Sequence, residues 1–186
     1  MVKTYRWTVD FEVDWGGRSN LVTGLQYGIP KILEVFKQYN IKAIFFISTE
    51  LIREHRKLIT SIQDLGHKLG SHGHFHIVYN NSRRASMDYE ISQTLLSSLT
   101  GTIYNNYRAP KFSYQHGGGT YETPKNHISL LKYLWFGGKI TNETIFYLHP
   151  FDIIGGVQAP NLFCKLWYSR PRKALRLFKS LCETYQ

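Results

Sequence analysis

Residues 5–14 constrain the fold more than any other stretch. Tyr5, Trp7, Val9, Phe11 and Val13 alternate with Arg6, Thr8, Asp10, Glu12 and Asp14. That period of two belongs to a β-strand with two unlike faces. One face is apolar, and the other sets Asp10, Glu12 and Asp14 in a row. Carboxylates lined up on one face repel each other, and a cation is needed to offset the repulsion. Such a strand suits a sheet whose outside is covered by helices and whose mouth carries polar chemistry.

Downstream segments alternate in kind. Leu25, Ile29, Ile32, Leu33, Val35 and Phe36 recur at helical spacing over 25–39. Lys42 to Ile47 contains an unbroken apolar run and reads as a buried, parallel strand. Thr49 is placed as the cap of a helix that stops at Gly66. The pattern then predicts a short strand at 67–71, a helix at 86–99 capped by Ser86, and an extended Tyr107-Arg108-Ala109 before Pro110. A glycine loop at 117–119, a helix from Pro124 to Phe136 and a strand at 145–148 follow. A basic amphipathic helix at 171–185 closes the chain. This alternation predicts a parallel α/β architecture, a barrel if the polar strand ends converge, and a single domain over 1–186.

Reactive groups sit where those strands end. Gly70-Ser71-His72-Gly73-His74-Phe75-His76 places two histidines four residues apart, with His74 between them. Imidazole is the commonest side-chain metal ligand near neutral pH, and His72 and His76 can close on one ion. Asp10, Glu12 or Asp14 supplies the anionic partner. Two histidines, one carboxylate and an open position make a hydrolytic or redox metal site. A zinc peptidase of the HExxH type is excluded, because Gly73 stands at the glutamate position. Arg108-Ala109-Pro110 and Leu148-His149-Pro150 end two further strands.

These segments, in this order, resemble the polysaccharide deacetylases of carbohydrate esterase family four, the NodB-homology family. The resemblance rests on Thr8-Val9-Asp10-Phe11-Glu12, on His72 to His76, on Tyr107-Arg108-Ala109-Pro110 and on Tyr147-Leu148-His149-Pro150, and spans about residues 4–152. Phe11 stands where many members carry a second, adjacent aspartate, so the chain is similar to the acid-x-acid branch. The resemblance implies a distorted (β/α) barrel of about seven parallel strands and a divalent metal, most often zinc. It implies Asp10 as general base, Glu12, His72 and His76 as metal ligands, and His149 as general acid, with Arg108 holding Asp10 ionised. Asp14 stays open as a ligand in place of Glu12 or as a substrate-binding residue, His74 as a packing or substrate-binding residue, and Asp152 as a partner that tunes His149. The family's Asp- and Trp-bearing segment has no match between Phe112 and Ile145; Trp135 before Gly137-Gly138 comes nearest.

The implied reaction is removal of N-acetyl groups from an amino sugar or polysaccharide. A cyclic-amide or ureide hydrolase on the same scaffold is the alternative, with Gly117 to Gly119, Tyr114 and Tyr121 shaping either pocket. From another class, a non-catalytic glycan- or nucleic-acid-binding module has in its favour a net charge of +10 and the basic tail of Arg170, Arg172, Lys173, Arg176 and Lys179. Such a module has no use for Asp10, Glu12, His72, His76 and His149 together. Carbohydrate is therefore the expected partner, anionic and lipid-linked glycans included, and nucleic acid is not. Cys164 and Cys182 form no ligand pair and read as free thiols. With no leader pattern and no membrane-length apolar run, the expected location is the cytoplasm, with the membrane surface open to it.

Overall fold

The structure is a computed structural model that describes residues 5–16, 18–113, 126–155 and 158–185, with the backbone of Thr120 and Tyr121. Its elements are β1 (Trp7–Phe11), α1 (Ile29–Gln38), β2 (Ile44–Ile47), α2 (Ile52–Asp64), β3 (Lys68–Ser71), α3 (Ser82–Thr100), β4 (Asn106–Tyr107), β5 (Thr120–Tyr121), β6 (His127–Ser129), α4 (Leu130–Phe136), β7 (Ile145–Leu148), α5 (Leu162–Trp167) and α6 (Pro171–Thr184). They fall into two compact units, residues 1–43 with 126–186 and residues 44–125.

In the first unit β1, β7 and β6 pair in parallel, with Val9 opposite Leu148 and Phe146 opposite Ile128. All of β1 is buried. Trp7 explains the apolar face: its ring stacks on Phe146 at 4.7 Å and meets Phe178 of α6 edge-on at 5.3 Å and Phe36 of α1 at 6.0 Å. Edge-to-face and offset contacts of this kind suit the aromatic quadrupole. The polar face is buried too, and Thr8 Oγ1 donates to the Phe146 carbonyl at 3.1 Å. The strand ends at Phe11, so Asp14 does not share a strand face with Asp10 and Glu12 as the alternation suggests. It sits in the turn that follows.

A π-helical turn, Gly24–Gly28, leads into α1. Gly28 lies against the Pro150 backbone, and a Cβ there would stand 2.0 Å from the Pro150 carbonyl oxygen. α1 turns Ile29, Ile32, Val35 and Phe36 inward, as its periodicity predicts. α6 does the same with Ala174, Phe178, Leu181 and Cys182, and both cysteines are free and buried.

In the second unit β2, β3, β4 and β5 pair in parallel, with Phe46 opposite Gly70, Ser71 opposite Tyr107 and Tyr107 opposite Tyr121. α2 and α3 pack on each other and on β3. Among the described residues there are therefore seven parallel strands, three in one unit and four in the other, in agreement with the predicted class.

Four local expectations are corrected. Thr49 caps no helix: it opens a short 3-10 turn and its side chain turns to His74. The helix drawn at 86–99 begins at Ser82, and its cap is Asn81, whose side chain accepts from the Arg84 N–H at 3.1 Å. The stretch drawn as one helix to Phe136 is a strand, β6, and then a helix starting at Leu130 under the cap of Ser129. The short helix α5 has no counterpart in the sequence pattern. The glycine loop at 117–119, Tyr114, and the expected helix start at Pro124 lie outside the described residues, as does the side chain of Tyr121. Among the described residues no helix is long and apolar enough to cross a membrane.

Candidate active site

In the first unit, chemistry gathers at the C-terminal ends of two neighbouring strands. Because Val9 pairs with Leu148 in parallel register, the next residues, Asp10 and His149, emerge side by side. His149 Nε2 lies 3.8 Å from Asp10 Oδ2 and 3.6 Å from Glu12 Oε1. Both carboxylates are buried, at 3% and 2% exposure. A carboxylate out of water is costly unless something positive stands by. His149 keeps a quarter of its side chain exposed, at 24%, so the ring bridges buried acid and solvent.

Asp152 holds that ring from behind. Its Oδ2 accepts the His149 backbone N–H at 2.8 Å and stands 3.6 Å from Nδ1. Phe151 stacks on the imidazole at 5.1 Å, 18° from parallel. Burial alone pulls the imidazole's pKa down, but Asp152, then Glu12 and Asp10, outweigh it and raise it from 6.5 to about 10. Asp14 is engaged elsewhere, and its two oxygens accept the N–H groups of Thr23 at 3.0 Å and Gly24 at 2.9 Å. Burial raises its pKa in spite of these bonds.

Sequence reasoning missed the aromatic surround. Trp15 packs against Phe151 at 5.3 Å and edge-on against Tyr168 at 4.4 Å. With Ile154, Gln158 and Lys165 they line a cavity of about 570 Å³, within the range of small-molecule sites. Only the position of Phe151, two residues past His149, offered any signal. Trp135 packs on Trp167 at 6.0 Å.

In the second unit the histidines leave the end of β3 as Arg108 leaves the end of β4. The two turns are tied together: Arg108 N–H donates to the Ser71 carbonyl at 3.0 Å, and His72 Nδ1 lies 2.8 Å from the Arg108 carbonyl. A carbonyl oxygen only accepts, so Nδ1 is the donor in this contact, and in the neutral imidazole Nε2 is then the acceptor nitrogen. That tautomer is the one a metal-ligating histidine adopts when a backbone carbonyl orients it. The His76 ring lies 4.8 Å from that of His72, and both are buried. His74 Nδ1 meets Thr49 Oγ1 at 3.0 Å. The Arg108 side chain, fully buried, passes over Phe46 at 4.3 Å and Phe112 at 4.9 Å.

Asp88 of α3 was missed as well. Its carboxylate accepts the backbone N–H groups of His74 at 2.7 Å and Phe75 at 3.2 Å, and the Tyr79 hydroxyl at 2.9 Å. Burial and this bond push the Tyr79 pKa up to about 12, so the hydroxyl stays a donor. Gly73 is required here: its φ is +83°, and a Cβ would meet Asp88 Oδ2 at 2.7 Å. The histidine turn is thus pinned by a carboxylate that the motif does not contain.

A family model described as polysaccharide deacetylase matches residues 23–117. A peptidoglycan deacetylase of Helicobacter pylori is 29% identical over 96 residues, covering 49% of this chain and 32% of that protein. The chain thus spans about a third of that relative's length. Among solved structures, peptidoglycan deacetylase PdaC from Bacillus subtilis superposes with a TM-score of 0.65 at 12% identity, over 98% of this chain and 84% of that one. A CE4 family pseudoenzyme from Bacillus anthracis superposes with a TM-score of 0.63 at 16% identity, over 97% and 62%. These structural likenesses place the chain in the carbohydrate-esterase fold.

Proposed function

The chain belongs to the polysaccharide deacetylase family, and from that premise we propose that it is a metal-dependent hydrolase removing N-acetyl groups from an amino sugar in a polysaccharide, with residues 1–186 acting as one catalytic domain. The observation that carries this reading is the placement of His149 Nε2 within 4 Å of both Asp10 and Glu12. An acid, a base and a ligand-type carboxylate meet where two parallel strands end.

The donors suit a divalent ion of the zinc type. His72 has its Nδ1 tied to the Arg108 carbonyl, His76 lies beside it, and Glu12 is a buried carboxylate. We assign these three as the ligands. When bound, the ion polarises the amide carbonyl and lowers the pKa of an attacking water. The chain's own residues do the rest. Asp10 accepts the water's proton, and Arg108 keeps Asp10 ionised. His149, charged through Asp152, gives its Nε2 proton to the departing nitrogen as the carbon–nitrogen bond breaks. Asp152 keeps the imidazole turned toward that nitrogen, and Phe151 fixes its plane. The products are acetate and a free amine. The aromatic cavity beside Phe151 accommodates a sugar ring of the substrate.

The test is acetate release from N-acetylglucosamine oligomers by zinc-loaded protein, repeated after chelation and with Asp10→Asn and His149→Ala. Acetate that depends on the ion and falls by a factor on the order of a hundred or more in each variant supports the reading. Ring opening of hydantoin-like substrates without acetate release would replace it with the cyclic-amide reaction. Ion binding without turnover on either substrate would place the chain with the pseudoenzymes.

A further inference from the structure

We propose that the face formed by α4, α5 and α6 docks onto an anionic lipid surface. Four large apolar residues stand out on it: Phe136 is 72% exposed, Leu162 71%, Phe163 69% and Leu166 59%. Trp167 ties Phe136 and Phe163 into one patch. Its ring lies 5.7 Å from Phe136, 5.8 Å from Phe163 and 6.0 Å from Trp135. Leu162 and Leu166 are one helical turn apart on α5, beside Phe163. Scattered exposed hydrophobic residues need no explanation, but a contiguous group of this size marks an interaction site.

The border of the patch is cationic. The Arg170 guanidinium lies 4.1 Å above the Trp135 ring, which joins the basic start of α6 to the aromatic cluster. Arg170, Arg172, Lys173 and Arg176 line a cavity of about 390 Å³ next to it, and all four are exposed. Protruding aliphatic and aromatic groups with Lys and Arg beside them are the chemistry of a surface that sits in the lipid headgroup layer. Apolar groups enter the acyl boundary while the cations meet headgroup phosphates and carboxylates.

Two other occupants fit less well. A second copy of the chain docked on the same face would bring four cations against four, and like charges at close range repel. A sugar polymer needs open aromatic faces. Here Trp167 is stacked against Trp135 and against Phe163, each within 19° of parallel, and Arg170 covers the Trp135 ring. Acidic lipid satisfies the apolar and the charged part at once. This inference does not depend on the hydrolase reading, since none of these residues takes part in the proposed reaction.

The test is co-sedimentation of the whole chain with vesicles of phosphatidylcholine alone or of phosphatidylcholine and phosphatidylserine in equal parts, at low and high salt. Quenching of tryptophan fluorescence by brominated acyl chains reports insertion of the patch. Binding to the acidic vesicles, weakened by salt and accompanied by quenching, is expected. Arg172→Glu with Lys173→Glu lowers the partition constant on the order of a hundredfold. Phe163→Ser with Leu166→Ser lowers it by about tenfold or more. Equal pelleting with neutral vesicles, or no pelleting with acidic ones, overturns the proposal on the unmodified chain alone. So does a dimer, or binding to an N-acetylglucosamine polymer, that the Phe163→Ser, Leu166→Ser variant abolishes.

Discussion

Asp152 grips His149 twice, taking its backbone N–H at 2.8 Å and facing its ring Nδ1 at 3.6 Å with the same oxygen. One carboxylate thereby sets both where the imidazole sits and how tightly it holds a proton. Removing that charge should separate the two effects. Asp152→Asn keeps an acceptor for the N–H and loses the attraction to the imidazolium. The alkaline limb of the activity profile then moves to lower pH, and the rate at the optimum drops about tenfold to a hundredfold. A kcat/KM–pH profile of the variant against the parent measures both.

The same raised pKa makes stability depend on pH. A group held protonated in the folded state stabilises it fully below its ordinary pKa. The contribution fades as pH climbs through the folded value. For His149 in the ion-free protein the window runs from 6.5 to about 10. Tm should fall across that window in the parent and fall less in His149→Gln. Equal slopes in the two would contradict the assignment.

Asp88 gives a prediction that the motif alone would not. Asp88→Ala leaves the His74 and Phe75 N–H groups without their acceptor, at a cost of about 1–3 kcal/mol. The histidine turn loosens with it, and zinc affinity drops about tenfold or more. Urea unfolding and zinc titration check the two numbers separately. Gly73→Ala should weaken the ion site as well, because the turn at φ +83° strains and the new methyl meets Asp88.

Phe178 tests the account of the first unit's core. It is fully buried and packs edge-on against Trp7 and Phe36. Phe178→Ala should cost about 3–5 kcal/mol, read as a lower urea midpoint, with no change in the ion's coordination.

The reactive residues were legible because strand ends and residue order are local properties. Asp10 lies near the end of a strand, and His72, Arg108 and His149 each directly follow one. Their family resemblance rests on that order. What escaped depends on local backbone geometry, on very short elements and on contacts far along the chain. Ser86 and Asn81 are both acceptable caps by residue type, and only the extended backbone at Asn81 decides between them. β6 has three residues, too few for any period to show. Asp14 completes an acidic alternation on paper, yet the strand stops at Phe11 and the turn gives its carboxylate two N–H donors. Gly28 allows a close approach to Pro150, and nothing beside it in the sequence announces that contact.

In the proposed function, one divalent ion is held by His72, His76 and Glu12. Equilibrium titration of ion-free protein with zinc tests it most directly, in the parent and in His72→Ala, His76→Ala and Glu12→Gln. The account predicts one ion per chain in the parent and a loss of affinity on the order of a hundredfold or more in every variant. Parent-like affinity in Glu12→Gln, with loss confined to the two histidine variants, would contradict it.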